Sequence, residues 1–167
     1  MRGWRRPKIK KVQVQLPFGI GQVEFAVDDS QRRAAWSLYV ELVTRIAVQR
    51  LDVQEGHLRE ALSSLHALFQ ETRLILREAG PGVGARPDSI GGVAIAVLND
   101  GIRPFLSHWH PALLNWETKR GGEVSPKDHE MKWEEANTMR SELADLQDKL
   151  FEYASALQAI GGFGKKR

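Results

Sequence analysis

The last third of the chain carries a regular repeat of apolar positions. From Met139 to Ile160 the apolar residues are separated by alternating steps of four and three residues, with charged residues between them. This is the a and d pattern of a helix that buries one stripe against neighbouring helices. The members of this seam are Met139, Leu143, Leu146, Leu150, Tyr153, Leu157 and Ile160. The pattern predicts a long helix with a coiled-coil seam that requires packing partners.

Two earlier segments show the same helical period. Residues 28–30 supply N-cap side chains for a first helix that we expect to run to about Leu51. Asp52 and Glu55 form a variant of the capping box, which predicts that a second helix starts there and ends near Gly80. The expected apolar stripes are Trp36, Tyr39, Val40, Val43, Ile46 and Ala47 in the first helix and Leu58, Leu62, Leu65, Phe69, Thr72 and Leu76 in the second.

A third helix is predicted from Ser89 to the glycines at 121–122, after a Gly/Pro-rich loop. Pro104 and Pro111 should kink it or break it in two, because proline removes a backbone donor. Its expected seam is Ile95, Leu98, Ile102, Phe105, Trp109, Leu113 and Trp116. Ser125 and Pro126 then predict the start of a fourth helix that continues through the seam. At ~1.5 Å per residue, this helix would be roughly 50 Å long.

The N-terminal part of the domain has the period of β-strands. Residues 12–16 and 22–27 alternate apolar and polar side chains, and Gly19 and Gly21 lie between them. We therefore expect a β-hairpin over residues 12–27, whose apolar face lies on the helices or extends a partner's sheet. The fold class predicted is an all-α antiparallel four-helix bundle with an N-terminal β-hairpin, in a single domain spanning residues 12–162.

Positive charge is concentrated at the two ends of the chain. Residues 1–11 form an expected basic flexible arm and residues 163–167 a basic tail, and neither contains an acid. Without their nine basic residues, 15 basic residues face 21 acidic ones, so the body is near −6. Such ends either bind nucleic acid through phosphate contacts and one stacking tryptophan or only aid solubility. The candidate nucleic-acid-binding residues are Arg2, Trp4, Arg5, Arg6, Lys8, Lys10, Lys11, Lys165, Lys166 and Arg167.

The amino-acid composition excludes several classes of functional site. Cysteine is absent, which excludes disulfides, thiolate metal sites and a cysteine nucleophile, and which fits a cytoplasmic address. No apolar run approaches the ~18 residues that a membrane span requires, so no membrane partner is expected. His57, His66 and His129 have no metal-ligand spacing. We expect neither a metal nor another cofactor.

One short motif offers catalytic chemistry. Arg103 and His108 are separated by four residues on a predicted helix. This spacing resembles the HEPN family of helical ribonucleases, in which such an Arg and His act on the scissile phosphate without a metal. The resemblance implies catalytic roles for Arg103 and His108, although Pro104 replaces a polar residue that is frequent in the family. In a regular helix, residues five apart diverge by about 140°, whereas Arg103 and His110 share a face.

The seam and the tryptophans favour a non-enzymatic interaction or adaptor subunit of a larger assembly. Its expected protein partner or second copy would contact Trp109, Trp116, Leu150 and Leu157. The chain also resembles, in its general helical pattern, small helical-bundle subunits of prokaryotic antiviral defence systems. Two alternatives belong to other classes: a HEPN-like ribonuclease that uses Arg103 and His108, and a small nucleic-acid-binding subunit of a nucleoprotein complex.

Overall fold

The computed structural model describes residues 9–45, 48–52 and 56–164. The elements are β1 (Lys10–Leu16), β2 (Gly21–Val27), α1 (Asp29–Val43), α2 (Leu58–Ala79), α3 (Ile90–Ala96), α4 (Arg103–Glu117), α5 (Pro126–Met131) and α6 (Ala136–Gly161). A π-helical segment, Val97–Ile102, joins α3 to α4, and a 3-10 turn, Pro81–Val83, follows α2. The prediction of a mostly helical chain with an N-terminal hairpin is confirmed. The arrangement as a four-helix bundle stays a prediction.

The seam of α6 is the centre of the hydrophobic core. All seven predicted seam residues are buried, from Met139 to Ile160. Helix α1 packs along α6, and the hairpin lies on it as well. The chain therefore covers its own apolar stripe, and the seam leaves little apolar surface for a partner.

The hairpin confirms the strand prediction and extends it by two residues at the start. Val12 pairs with Phe25 and Val14 with Val23, so one face of both strands is apolar and packs against the helical core. The turn places Phe18 and Gly19 at φ angles of 61° and 73°. Positive φ at both central residues is typical of the type I′ turn, which matches the twist of paired strands.

Helix α1 differs from its prediction in length and in phase. It ends at Val43, eight residues before Leu51, and the predicted stripe positions 46 and 47 lie outside the described residues. The residues that it buries are Gln31, Ala34, Ala35, Leu38 and Leu42, one position away from the predicted stripe. Trp36 is consequently 52% exposed and packs on Tyr39 and Phe163. Ala34 and Ala35 are small, so the side facing the core lets the helices approach closely.

The third predicted helix changes its winding ahead of Pro104. The Arg103 N–H donates to the carbonyl of Leu98, five residues earlier, as in a π-helix. The wider turn shifts the helical phase, so Ala94 rather than Ile95 lies in line with the buried Ile102. Ile95 is therefore exposed, and its place in the predicted seam was wrong. Pro111 lies within α4 without ending it.

The fourth predicted helix is two helices. Ser125 caps α5 as expected, because its Oγ accepts from the Asp128 N–H at 3.1 Å. The chain then makes three i→i−3 hydrogen bonds before α6 begins, from Lys132 to His129, from Trp133 to Glu130 and from Ala136 to Trp133. Trp133 is buried and packs edge-on against Trp109, with ring centroids 5.9 Å apart. The interruption therefore coincides with a tertiary contact of Trp133, and no local turn signal in the sequence predicts it.

The start of α2 is also later than predicted, and its cap comes from a distant residue. The helix begins at Leu58 rather than at the Asp52 capping box, and no side-chain cap comes from His57. Instead the Leu58 N–H donates to Oε2 of Glu130 at 2.9 Å. A carboxylate at this position satisfies an unpaired backbone donor and complements the helix dipole.

Glu130 is the centre of a buried polar network. It is 6% exposed, and its Oε1 accepts from the Arg140 guanidinium at 2.5 Å. Lys127 lies 3.8 Å away from the same oxygen. Arg140 and Lys127 also both donate to the carbonyl of Gly56, at 3.1 and 2.6 Å. The network therefore joins α5 and α6 to the segment that enters α2.

We expect Glu130→Ala to lower the free energy of unfolding by about 3–5 kcal/mol, because the variant leaves the largely buried Arg140 without its carboxylate. Glu130→Gln keeps an oxygen for the Leu58 N–H and should lose less. The matched control is Glu134→Ala, an exposed position, with a change within about 0.5 kcal/mol. Urea unfolding followed by circular dichroism measures all three. Equal midpoints for Glu130→Ala and the control would contradict the role of the network.

Tyr153 yields a second prediction about stability. Its hydroxyl is buried and has no hydrogen-bond partner among the described residues, and burial raises the pKa of Tyr153 above its ordinary value. Tyr153→Phe removes an unsatisfied polar atom, which should raise the free energy of unfolding by about 1–3 kcal/mol. An unfolded tyrosine ionises near pH ~10 whereas the folded one stays neutral, so alkaline pH favours unfolding.

The Tyr153→Phe variant should therefore also lose less stability than the parent above pH ~10. Thermal melts across this range measure the difference. Tyr39→Phe serves as the control at a half-buried position, where a change within about 0.5 kcal/mol is expected. A lower melting temperature for Tyr153→Phe at neutral pH would show that the hydroxyl is stabilising.

Candidate functional site, a basic groove between α2 and α4

A groove of about 450 Å³ lies between α2 and α4. The two helices run antiparallel, since Arg59 near the start of α2 binds Glu117 at the end of α4, while Phe69 contacts Arg103 at the start of α4. We call it the basic groove, and its lining residues are His66, Phe69, Arg73, Arg103, Leu106, Ser107, His110 and Pro111. It is the candidate site because two arginines, two histidines and a serine line it, and no carboxylate of the described residues does.

The spacing of residues along each helix builds the groove. On α2, Arg59, His66 and Arg73 follow one another at intervals of seven residues. On α4, Arg103 and His110 are also seven apart. Residues two helical turns apart lie on the same face, so both helices turn a row of polar donors towards each other.

Two arginines meet over one aromatic ring in this groove. The guanidinium carbon of Arg103 lies 5.1 Å from the Phe69 ring centroid, and that of Arg73 lies 5.8 Å away. Cation–π contact holds both heads near the ring. Neither arginine takes part in an ion pair within the described part of the chain. Two positive charges thus lie within 6 Å of one ring without a carboxylate ion pair among the described residues, and both are open to a bound anion.

The other end of the groove carries a fixed hydrogen-bond network. Arg59 binds Glu117 through two hydrogen bonds, of 2.9 and 2.7 Å. The same guanidinium lies 3.2 Å from Nδ1 of His110. Arg59 is therefore neutralised by its carboxylate, whereas the groove itself is lined by no carboxylate from the described residues. The arrangement can hold an anion with several oxygen atoms.

The two residues of the predicted catalytic pair lie on different sides of α4. Arg103 lines the basic groove and binds Oδ1 of Asn99 at 3.0 and 3.2 Å. His108 lines another groove and packs edge-on against Trp109, with centroids 4.6 Å apart. A separation of five residues turns the two side chains apart, as helix geometry predicts, and the catalytic roles of Arg103 and His108 stay a prediction. His110 is the histidine that shares a groove with Arg103.

The predicted interface residues are largely used inside the chain. Trp109 is 1% exposed, and Leu150 and Leu157 are buried with it, so these three residues are not available to a partner. The Trp109 indole N–H donates to Oε2 of Glu142 at 2.7 Å. Trp116 is half-buried, and its indole N–H donates to the carbonyl of His129.

Most of the predicted nucleic-acid-binding residues cannot be placed. Among those described, Lys10 and Lys11 belong to β1 rather than to a flexible arm, and Lys11 pairs with Glu24 at 3.0 Å. The tail segment 163–164 packs in part, through Phe163, against the aromatic side chains of α1. The following candidates lie outside the described residues: Arg2, Trp4, Arg5, Arg6, Lys8, Lys165, Lys166 and Arg167.

The sequence reasoning missed His66, Arg73 and the role of His110. The intervals of seven residues on both helices were a usable signal, but nothing in the sequence showed that α2 and α4 face each other. For that reason the sequence could not show that His66 and Arg73 lie in the same groove as Arg103. The shared face of Arg103 and His110 was noted and is the part of the motif that the structure brings together in one groove.

Comparison with known proteins adds no assignment, since the chain matches no family model, no curated protein and no solved structure. Within residues 9–45, 48–52 and 56–164, no three His, Asp or Glu side chains lie close enough to hold a metal ion. The same residues contain no helix that combines the length and hydropathy of a membrane span. Function has to be argued from the groove itself.

Proposed function

We propose that this protein binds nucleic acid and that the basic groove holds the phosphodiester backbone. The observation that carries the proposal is the convergence of Arg73 and Arg103 over Phe69, with His66 and His110 beside them and no lining carboxylate among the described residues. Guanidinium groups bind phosphate oxygens in a forked geometry, and imidazole and hydroxyl groups add single hydrogen bonds. The groove offers all three kinds of donor.

The surrounding charge supports this choice. Outside the two basic ends, the chain carries more acids than bases, so a random surface patch would be acidic or mixed. Five other arginines of the described body have carboxylate partners, and Arg32, Arg33, Arg77 and Arg120 have none among the described residues. The paired ones are Arg45, Arg50, Arg59, Arg86 and Arg140. A patch that keeps two arginines free of such partners is suited to an external anion. The basic ends would add nonspecific contacts to the same polyanion.

The adaptor role that was predicted from the seam has lost its main support. The apolar stripe of α6 is covered by the chain's own α1 and hairpin, and Trp109, Leu150 and Leu157 are buried with it. A protein partner, self-association, a defence-related assembly and a cytoplasmic address stay predictions. The four-helix bundle arrangement stays one as well, and the groove requires only that α2 and α4 lie side by side.

The first test of the proposal is binding to a fluorescent oligouridylate, measured by anisotropy at several salt concentrations. Arg73→Gln and Arg103→Gln should each weaken binding by about tenfold or more, because each removes a charge-assisted contact to phosphate. Each should also reduce the slope of log K against log salt by about 0.7. Arg33→Gln, at an exposed position of α1 that does not line the groove, is the matched control with the same loss of charge.

Two further binding experiments show which form of phosphate the groove recognises. Duplex DNA in place of the oligouridylate tests whether the groove requires a single strand, and free uridine monophosphate tests whether a single phosphate group suffices. A chain without residues 1–8 measures the contribution of the basic arm. Binding that survives both groove variants but disappears in this truncation would assign the site to the arm and overturn the proposal.

A metal-independent ribonuclease is the second candidate, because Arg103 and His110 lie in one groove. Six residues lie between them, and the HEPN resemblance covers an Arg and a His that are four to six residues apart, here with His110 in place of His108. Arg103 would stabilise charge on the phosphate and His110 would transfer a proton, as positioned acid–base groups do. Ser107 and His66 line the same groove and offer further hydrogen bonds.

The test is cleavage of single-stranded RNA in EDTA. If the pair is catalytic, Arg103→Ala and His110→Ala should each reduce the rate by about 10²-fold or more without lowering the melting temperature. His108→Ala is the control, because His108 lies on the other side of α4 and should retain full activity. Loss of cleavage in His108→Ala, with His110→Ala active, would restore the original pairing. Binding without cleavage leaves the protein a nucleic-acid-binding subunit.

A further inference from the structure

His110 is held in one orientation by a residue that can only donate hydrogen bonds. Arg59 Nη1 lies 3.2 Å from His110 Nδ1, and a guanidinium has no acceptor atom. The Nδ1 atom must therefore be the acceptor and carry the lone pair. In the neutral ring the proton then resides on Nε2, the nitrogen turned away from Arg59.

Glu117 in turn fixes Arg59. Two hydrogen bonds of 2.9 and 2.7 Å join its carboxylate to the guanidinium, which leaves one terminal nitrogen directed at His110. Glu117 and Arg59 also line a neighbouring cavity that His110 does not line. The carboxylate, the guanidinium and the imidazole thus form a chain that ends in the basic groove.

We infer that Arg59 and Glu117 are positioning residues, which fix the tautomer of His110 so that a neutral Nε2–H donor faces a phosphate bound in the basic groove. The inference rests on the proposed binding of phosphodiester in this groove. An imidazole whose donor is set in this way binds a phosphate oxygen without first taking up a proton. Arg59 contacts His110, and the other charged or titratable residues that line the basic groove with it are His66, Arg73 and Arg103.

The tautomer can be measured without any ligand. Nitrogen-15 NMR of the histidine rings, at a pH above the ordinary imidazole range of about 6.5, separates protonated from unprotonated ring nitrogens. We expect His110 to show one species with the proton on Nε2 in the parent chain. Arg59→Met should convert it to a mixture of both tautomers. The same tautomer balance in the parent and in Arg59→Met would overturn the inference.

In a second experiment, electrostatics and loss of positioning predict opposite changes in the binding affinity of the Glu117→Gln variant. Glu117→Gln removes a negative charge near the basic groove, so electrostatics alone predicts tighter binding of the fluorescent oligouridylate. Loss of positioning predicts weaker binding, by about 3–10-fold, the value of one hydrogen bond. The weakening should vanish in a His110→Ala background. Glu60→Gln, an exposed position on α2, is the charge-matched control and should not weaken binding.

The two readouts keep the inference apart from the proposed function. Normal tautomer control with no binding of the oligouridylate in the parent would contradict nucleic-acid binding, and with it the role of Nε2–H as a phosphate donor. If the parent binds the oligouridylate and Glu117→Gln binds it more tightly, the proposed function stands and the positioning role is contradicted. A melting temperature within a few degrees of the parent is required of each variant, and Glu117→Ala provides a second variant where Glu117→Gln is unstable.

Discussion

The carboxylate of Glu130 holds together three segments that no local interaction brings into contact. It caps the N-terminus of α2 from 72 residues away, binds Arg140 of α6, and belongs to the short helix α5. A buried ion pair of this kind adds little net stability compared with an apolar pair, but the removal of one partner is strongly destabilising. Its main effect is to fix where α2 starts relative to α5 and α6.

His129, the residue before Glu130 in α5, fixes the end of α4 through contacts with Trp116. His129 and Trp116 exchange two hydrogen bonds: the indole N–H donates to the His129 carbonyl at 2.9 Å, and His129 Nε2 donates to the Trp116 carbonyl at 2.8 Å. Their rings are also stacked, with centroids 4.6 Å apart. Adjacent residues of α5 therefore hold the two helix ends at which Arg59 meets Glu117. The geometry of the basic groove depends on this short helix, which does not line it.

The parts of the fold that could be predicted are those set by local chemistry. The seam of α6 follows from period alone, and the serine caps at Ser89 and Ser125 follow from a side chain that binds a backbone N–H three residues later. The missed features all depend on distant residues. The cap of α2 comes from Glu130, and the exposed position of Ile95 follows from a change to π winding ahead of Pro104. The groove residues required knowledge of which helices are neighbours.

Helix α4 separates two grooves of opposite charge. Arg103 and His110 line the basic groove, while the groove that contains His108 is lined by the acids Asp100, Glu142 and Asp145 with one lysine. The charges that line these two grooves produce a local electric dipole across α4. In the field of a highly charged polymer, such a dipole exerts a torque before the surfaces touch. Encounters would therefore favour one orientation, and the acidic side would remain turned towards solvent.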